Sequence, residues 1–104
     1  MKIAAVTACA TGVAHTFMAK RALENAAEEQ GHDIKVETQG ATGIEDKLTN
    51  KDLQEADILI IASDIKLAET ERFQGIKKVN IPVSDAIKNS AGLIRQIEKK
   101  LNEE

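Results

Sequence analysis

Four short apolar runs alternate with helical patterns along 104 residues, and that alternation restricts the fold more than any other feature. Ile3–Thr7 reads as a first strand. His15–Gln30 reads as a helix, with Gly31 as its C-terminal stop. Ile34–Thr38 alternates apolar and polar residues, which predicts a half-exposed second strand. Thr49-Asn50-Lys51-Asp52 has the form of a capping box, with Asp in place of Glu, and opens a short helix to about Glu55. Ile58–Ala62 is continuously apolar, as a buried parallel strand requires. Leu67–Phe73 predicts a third helix, and Val79–Ile81 a fourth strand stopped by Pro82. Ser84 is placed to cap the next turn. From Ala91, residues Leu93, Ile94, Ile97 and Leu101 form an apolar stripe at helical spacing.

A β-α-β-α-β-α-β-α order predicts an α/β fold, a three-layer α/β/α sandwich around a four-stranded parallel sheet. The first and third strands are the most apolar and belong at the centre. The second and fourth suit the edges, giving the order 2-1-3-4. The chain reverses direction between strands one and three, and ligands bind beyond the strand C-termini at such a point. Residues 1–104 are expected to form a single domain, in keeping with this length. Glycines and small residues at 40–43 mark the most flexible stretch, and residues 102–104 are expected to fray.

Cys9, the single cysteine, lies at that reversal, between the first strand and the first helix. A thiolate there faces N–H groups that lack intrahelical partners, and the positive end of a helix dipole. Both make a cysteine more nucleophilic, and the same cradle holds phosphate. The expected phosphate seat runs through Ala10, Thr11, Gly12, Val13, Ala14, His15 and Thr16, mostly through backbone N–H groups. Gly12 permits close approach of an anion, and a threonine hydroxyl can donate to it. These residues equally fit plain turn and cap roles. His15 stands six residues after Cys9, where a Cys-x5-Arg phosphatase loop has an arginine. Imidazole cannot clamp phosphate bidentately, so such a loop suits a carrier better than a phosphatase.

Around this point lie candidates for partner docking. Phe17 falls on the polar side of the first helix, beside Arg21, Glu24 and Glu28, whereas Met18 is assigned to the core with Ala19, Ala22, Leu23 and Ala26. Gln39 ends the second strand and Asp64 the third; Asp64 also fits the N-cap of the third helix. Arg72 either reaches back to the site or lies solvated on that helix. His32 reads as a surface residue, and Lys77-Lys78 and Lys99-Lys100 as solvated faces. Two scattered histidines and one cysteine argue against a metal site, and no cofactor is expected.

Composition excludes several partner classes. A net charge of −3, two phenylalanines and no Tyr or Trp argue against nucleic-acid binding. A lone cysteine without a signal-peptide pattern reads as cytoplasmic. No apolar stretch approaches the length of a membrane span, so any membrane role passes through a partner.

The run Cys9-Ala10-Thr11-Gly12-Val13-Ala14-His15-Thr16-Phe17-Met18-Ala19 closely resembles the active-site segment of fructose-type enzyme IIB of the bacterial sugar phosphotransferase system. Val36–Gly40, Leu48-Thr49 with Asp52-Leu53, Ala56-Asp57, Ala62–Ile65 and Arg72–Gly75 match as well, so the resemblance spans nearly the whole chain. One departure is Ala10, where the family typically has proline; alanine restores an N–H donor and loosens the backbone. A second is Ile76, where many relatives have lysine.

The resemblance implies a protein-phosphocysteine–sugar phosphotransferase. Cys9 would take a phosphoryl group from phosphohistidine on a IIA protein or domain and hold it as phosphocysteine. It would then pass the group to fructose or a related sugar on the membrane permease IIC, at the inner face of the membrane. Two partners in turn call for an accessible sulfur and shallow docking. The alternative readings are a low-molecular-weight cysteine phosphatase or arsenate-reductase-like enzyme, and a thiol redox module, which would need a resolving thiol from elsewhere.

Overall fold

The computed structural model describes residues 1–9, 13–40 and 43–102. Strands β1 (Lys2–Ala8), β2 (Asp33–Gly40), β3 (Gly43–Glu45), β4 (Ile58–Ser63) and β5 (Lys78–Ile81) form one sheet in the order β3-β2-β1-β4-β5. β1 pairs parallel to both β2 and β4, and β4 parallel to β5. The four strands read from the sequence therefore keep their expected order. The addition is β3, which pairs antiparallel to β2 and takes the edge expected for β2.

Helices α1 (Val13–Glu29), α3 (Val83–Lys88) and α4 (Ser90–Asn102) cover one face of the sheet, and α2 (Asn50–Glu55) covers the other. Alternation along β1 and β4 divides the core. Ile3, Ala5, Ile58, Ile60 and Ala62 pack under α1, α3 and α4. Ala4, Val6 and Leu59 pack with Leu48, Leu53 and Phe73 on the other side. Both central strands bury both faces, which explains their unbroken apolar runs.

α1 begins two residues before the expected start and ends one residue before the expected end. Gly31, at φ +78°, lets its own N–H reach the Glu28 carbonyl (3.1 Å) and the His32 N–H reach that of Ala27 (2.9 Å). His32 is not a simple surface residue. Its ring is largely covered, with Nδ1 3.0 Å from the N-terminal amine and Nε2 3.1 Å from Glu98.

Three expectations fail for physical reasons. β2 is not alternately exposed: Val36, Glu37, Thr38 and Gln39 are all buried, because β3 and the 64–73 segment cover its C-terminal half. The third helix is absent, replaced by a single 3-10 turn, Thr70–Phe73. Ala68 spends its N–H and carbonyl on the Gln39 amide (2.8 and 3.1 Å), and Glu69 is left-handed at φ 55°, so no helix passes through them. Ser84 does not cap α3; Pro82 precedes the helix, and Ser84 lies inside its first turn.

Candidate functional site

All four parallel strands point their C-terminal ends to one edge, and the β1/β4 junction is where connections depart in opposite directions. Cys9 follows β1 at that junction. Ala8, just before it, pairs with Gln39 on one side and Ser63 on the other. The buried Thr7 hydroxyl donates to the Thr16 carbonyl (3.2 Å), tying the end of β1 to the first turn of α1. α1 has no acidic residue in that turn, so nothing on the helix itself opposes an anion at its start.

Of the expected phosphate seat, Ala10, Thr11 and Gly12 lie outside the described residues. Val13, Ala14, His15 and Thr16 form the first turn of α1, with Ala14 and His15 exposed and Thr16 buried. Cys9 is 8% exposed, more enclosed than a thiol on an open tip, because its side chain joins the core cluster under α1. Among the described residues, polar side chains from two different elements reach the sulfur: His15 Nδ1 and Asp64 Oδ2 each lie 3.9 Å from Sγ.

Asp64 is presented by a turn in which the Ser63 hydroxyl donates to the Ile65 carbonyl (2.6 Å) and accepts from the Ile65 N–H (3.1 Å). Asp64 does not cap a helix of its own segment. Its Oδ1 accepts from the Val83 N–H (3.3 Å) at the start of α3, so it satisfies a helix reached much later in the chain.

Gln39 and Arg72 face inward. Gln39 is buried and bonded to Ala68 and to Glu37 (2.8 Å). Arg72 grips Glu37 and also donates to the Leu48 and Glu69 carbonyls. Together they hold the segment that carries Asp64 and Ile65 against the end of β2. Sequence reasoning did not identify Glu37, the buried centre of this arrangement; an acidic residue directly between Val36 and Thr38 inside a strand was the available signal. Phe17 is 43% exposed, as the helical wheel predicts. Met18 is not core: it is 52% exposed, because the buried arc of α1 centres on Ala19, Leu23, Ala26 and Ala27. With the exposed Ile65, these two leave apolar surface on the elements that flank Cys9.

A mixed α/β sheet with a cysteine at its reversal point, beside the start of a long helix, places a thiol where an anion can be held. Residues 4–96 match the family described as "PTS system, Lactose/Cellobiose specific IIB subunit". The "PTS system fructose-like EIIB component 2" of Escherichia coli K12 is 48% identical over 100 residues, covering 96% of this chain and 94% of the relative. The solution structure of an enzyme IIB subunit of the PTS system from Escherichia coli K12 superposes with a TM-score of 0.93 at 46% identity, covering 98% of this chain and 94% of that one. A domain of fruA from Bacillus subtilis gives a TM-score of 0.84 at 44% identity, covering 95% and 94%. The chain belongs to the IIB family of the sugar phosphotransferase system, in agreement with the resemblance carried by the segment from Cys9 to Ala19. Its role is phosphoryl transfer in sugar uptake, in company with IIA and IIC components. Among the described residues, no helix is long and apolar enough to cross a membrane.

Proposed function

We propose that the chain acts as a single IIB module whose Cys9 takes a phosphoryl group from phosphohistidine on a IIA protein and delivers it to a sugar held by membrane IIC. The observation that carries this reading is the position of the sulfur, at the end of β1 and within 3.9 Å of His15 in the first turn of α1. Phosphoryl transfer relies on positioning and on charge stabilisation, and the start of a helix supplies both without metal.

Transfer begins when the Cys9 thiolate attacks phosphorus. The S–P bond forms as the donor's N–P bond breaks. The N–P electron pair stays on the imidazole nitrogen, which takes up a proton. Delivery reverses the pattern: the S–P pair returns to sulfur, an O–P bond forms at a sugar hydroxyl as its O–H bond breaks, and the hydroxyl proton passes to water. The phosphate seat consists of the backbone of residues 10–16. Phe17 and Asp64 face the partners, while Gln39 and Arg72 shape that surface from beneath by fixing the 64–73 segment. The family description speaks of lactose and cellobiose, whereas the relatives are named fructose-like. We assign fructose or a related sugar on the relatives' names, and place the module at the inner face of the membrane through IIC.

Incubation with a phosphorylated fructose-type IIA protein tests the reading. Label is expected on Cys9 with the lability of a sulfur-bound phosphoryl group, and Cys9→Ser should lose it while keeping the fold. Undiminished uptake by Cys9→Ser would refute the assignment. Steady hydrolysis of an aryl phosphate without any partner would favour the phosphatase reading instead.

A further inference from the structure

A carboxylate stands against the atom that is to carry the phosphoryl group. Asp64 Oδ2 lies 3.9 Å from Cys9 Sγ, and Oδ1 is fixed by the Val83 N–H at 3.3 Å. The Asp64 N–H donates to the Ala8 carbonyl (3.3 Å), so main chain and side chain are both anchored. Asp64 takes part in none of the ion pairs among the described residues. A site shaped only to bind phosphate tightly has no use for a negative charge here, since like charges at this range oppose one another.

We infer that Asp64 is a catalytic residue whose carboxylate raises the transfer potential of the phosphoryl group on Cys9 by charge repulsion, so that the group leaves readily for the sugar. This rests on the carrier reading of Cys9. A carrier must release what it accepts, and attraction from the start of α1 alone would trap the group. Asp64 offsets that attraction. Before transfer the sulfur bears no phosphoryl group, and its contact with Oδ2 is one in which the thiol donates to the carboxylate. Once the S–P bond has formed and the donor's N–P bond has broken, with the electron pair on the donor imidazole, the sulfur carries a phosphoryl group of about −1.5 to −2 charge. The carboxylate destabilises that state most. Cleavage of S–P, with its electron pair returning to sulfur and O–P forming at the sugar, relieves the repulsion.

A purely structural role makes a different prediction, because an amide or hydroxyl oxygen can also accept from Val83. Asp64→Asn and Asp64→Ser both keep an acceptor and remove the charge, and Asp64→Glu keeps the charge. Each variant is equilibrated with a phosphorylated fructose-type IIA protein, its fold checked by thermal unfolding, and the partition of label between the two proteins measured. The neutral variants should shift the partition toward phosphocysteine on the order of tenfold, the effect of one charge at this range in a partly wet site, and Asp64→Glu should stay near wild type. An unchanged partition, or a shift toward the donor, overturns the inference. A slower approach to an unchanged end point also overturns it, and confines Asp64 to an effect on the rate. If wild-type Cys9 takes no label at all, the carrier reading itself fails, and the two failures remain distinct.

Discussion

Arg72 grips Glu37 with both arms of its guanidinium, Nη1 to Oε1 at 2.8 Å and Nη2 to Oε2 at 3.0 Å, around a carboxylate that is 0% exposed. Glu37 also accepts from the Leu48 N–H (2.8 Å) and from Gln39. The guanidinium carbon lies 4.7 Å from the centre of the Phe73 ring. Removing one partner of a buried pair leaves the other charge uncompensated. Arg72→Ala should therefore lower the unfolding free energy by about 3–5 kcal/mol, read by denaturant titration. Arg72→Lys should recover only part of it, because an ammonium cannot form the two-armed contact. A loss within experimental error for Arg72→Ala would show that the pair holds nothing together.

The same pair makes stability depend on acid. Burial pushes the Glu37 carboxyl up, but hydrogen bonds from Arg72, Gln39 and the Leu48 N–H, with the guanidinium charge, outweigh it and hold the group below its ordinary value. A carboxyl lowered by folding contributes stability that is complete above the ordinary carboxylate range. That stability is lost as pH falls through the lowered value. Glu37→Gln has no such proton to take up. The gap in unfolding free energy between wild type and Glu37→Gln should be widest near neutral pH and should close in acid. A gap that is constant with pH would contradict this.

What could be read from the sequence divides by range of interaction. The capping box at Thr49 and the glycine stop at Gly31 depend on residues within one turn, and both form as read. The order of the four parallel strands followed from how apolar each run is, which reports burial directly. The failures in β2 and at 67–73 involve partners distant in the chain. Leu67–Phe73 has helical composition, but Gln39, twenty-nine residues before Ala68, captures that residue's backbone. Ile34–Thr38 alternates like an exposed strand, yet Arg72 neutralises Glu37 and permits its burial. Cys9 stands out in the sequence because a strand pattern, a run of small residues and a helical pattern adjoin it. The contacts of its sulfur with Asp64 and of Asp64 with Val83 span 55 and 19 residues, beyond the reach of pattern.

The cap at Thr49 can be weighed by itself. The Asp52 N–H donates to Thr49 Oγ1 (3.1 Å) and the Thr49 N–H donates to Asp52 Oδ2 (2.9 Å). Lys35, 2.7 Å from Asp52 Oδ2, lowers that carboxyl to about 2, with help from the Thr49 N–H. Thr49→Ala removes one acceptor from a helix of 6 residues and should cost about 1 kcal/mol. Thr49→Ser keeps the hydroxyl and should cost less. Equal losses for the two variants would mean that the methyl group, not the cap, matters.

Phe17 and Met18 test where partners meet the protein. Both are adjacent in the first turns of α1 and largely exposed, at 43% and 52%. Lys20 is drawn away to Asp46 by a 2.8 Å contact, which leaves the apolar pair open at the end of the helix nearest Cys9. Exposed apolar side chains contribute little to folding, so Phe17→Ala and Met18→Ala should change stability by no more than about 0.5 kcal/mol. Contacts with a docking protein behave differently, because an aromatic side chain that becomes buried on binding is a frequent anchor. Phosphorylation by a IIA donor should show a raised KM in Phe17→Ala, about tenfold for a loss of 1.4 kcal/mol, with a smaller rise in Met18→Ala. The rate at saturating donor should change little, since neither side chain is among those found to reach the sulfur. A fall in kcat at unchanged KM would place Phe17 in the chemistry, and a large drop in Tm would place it in the core.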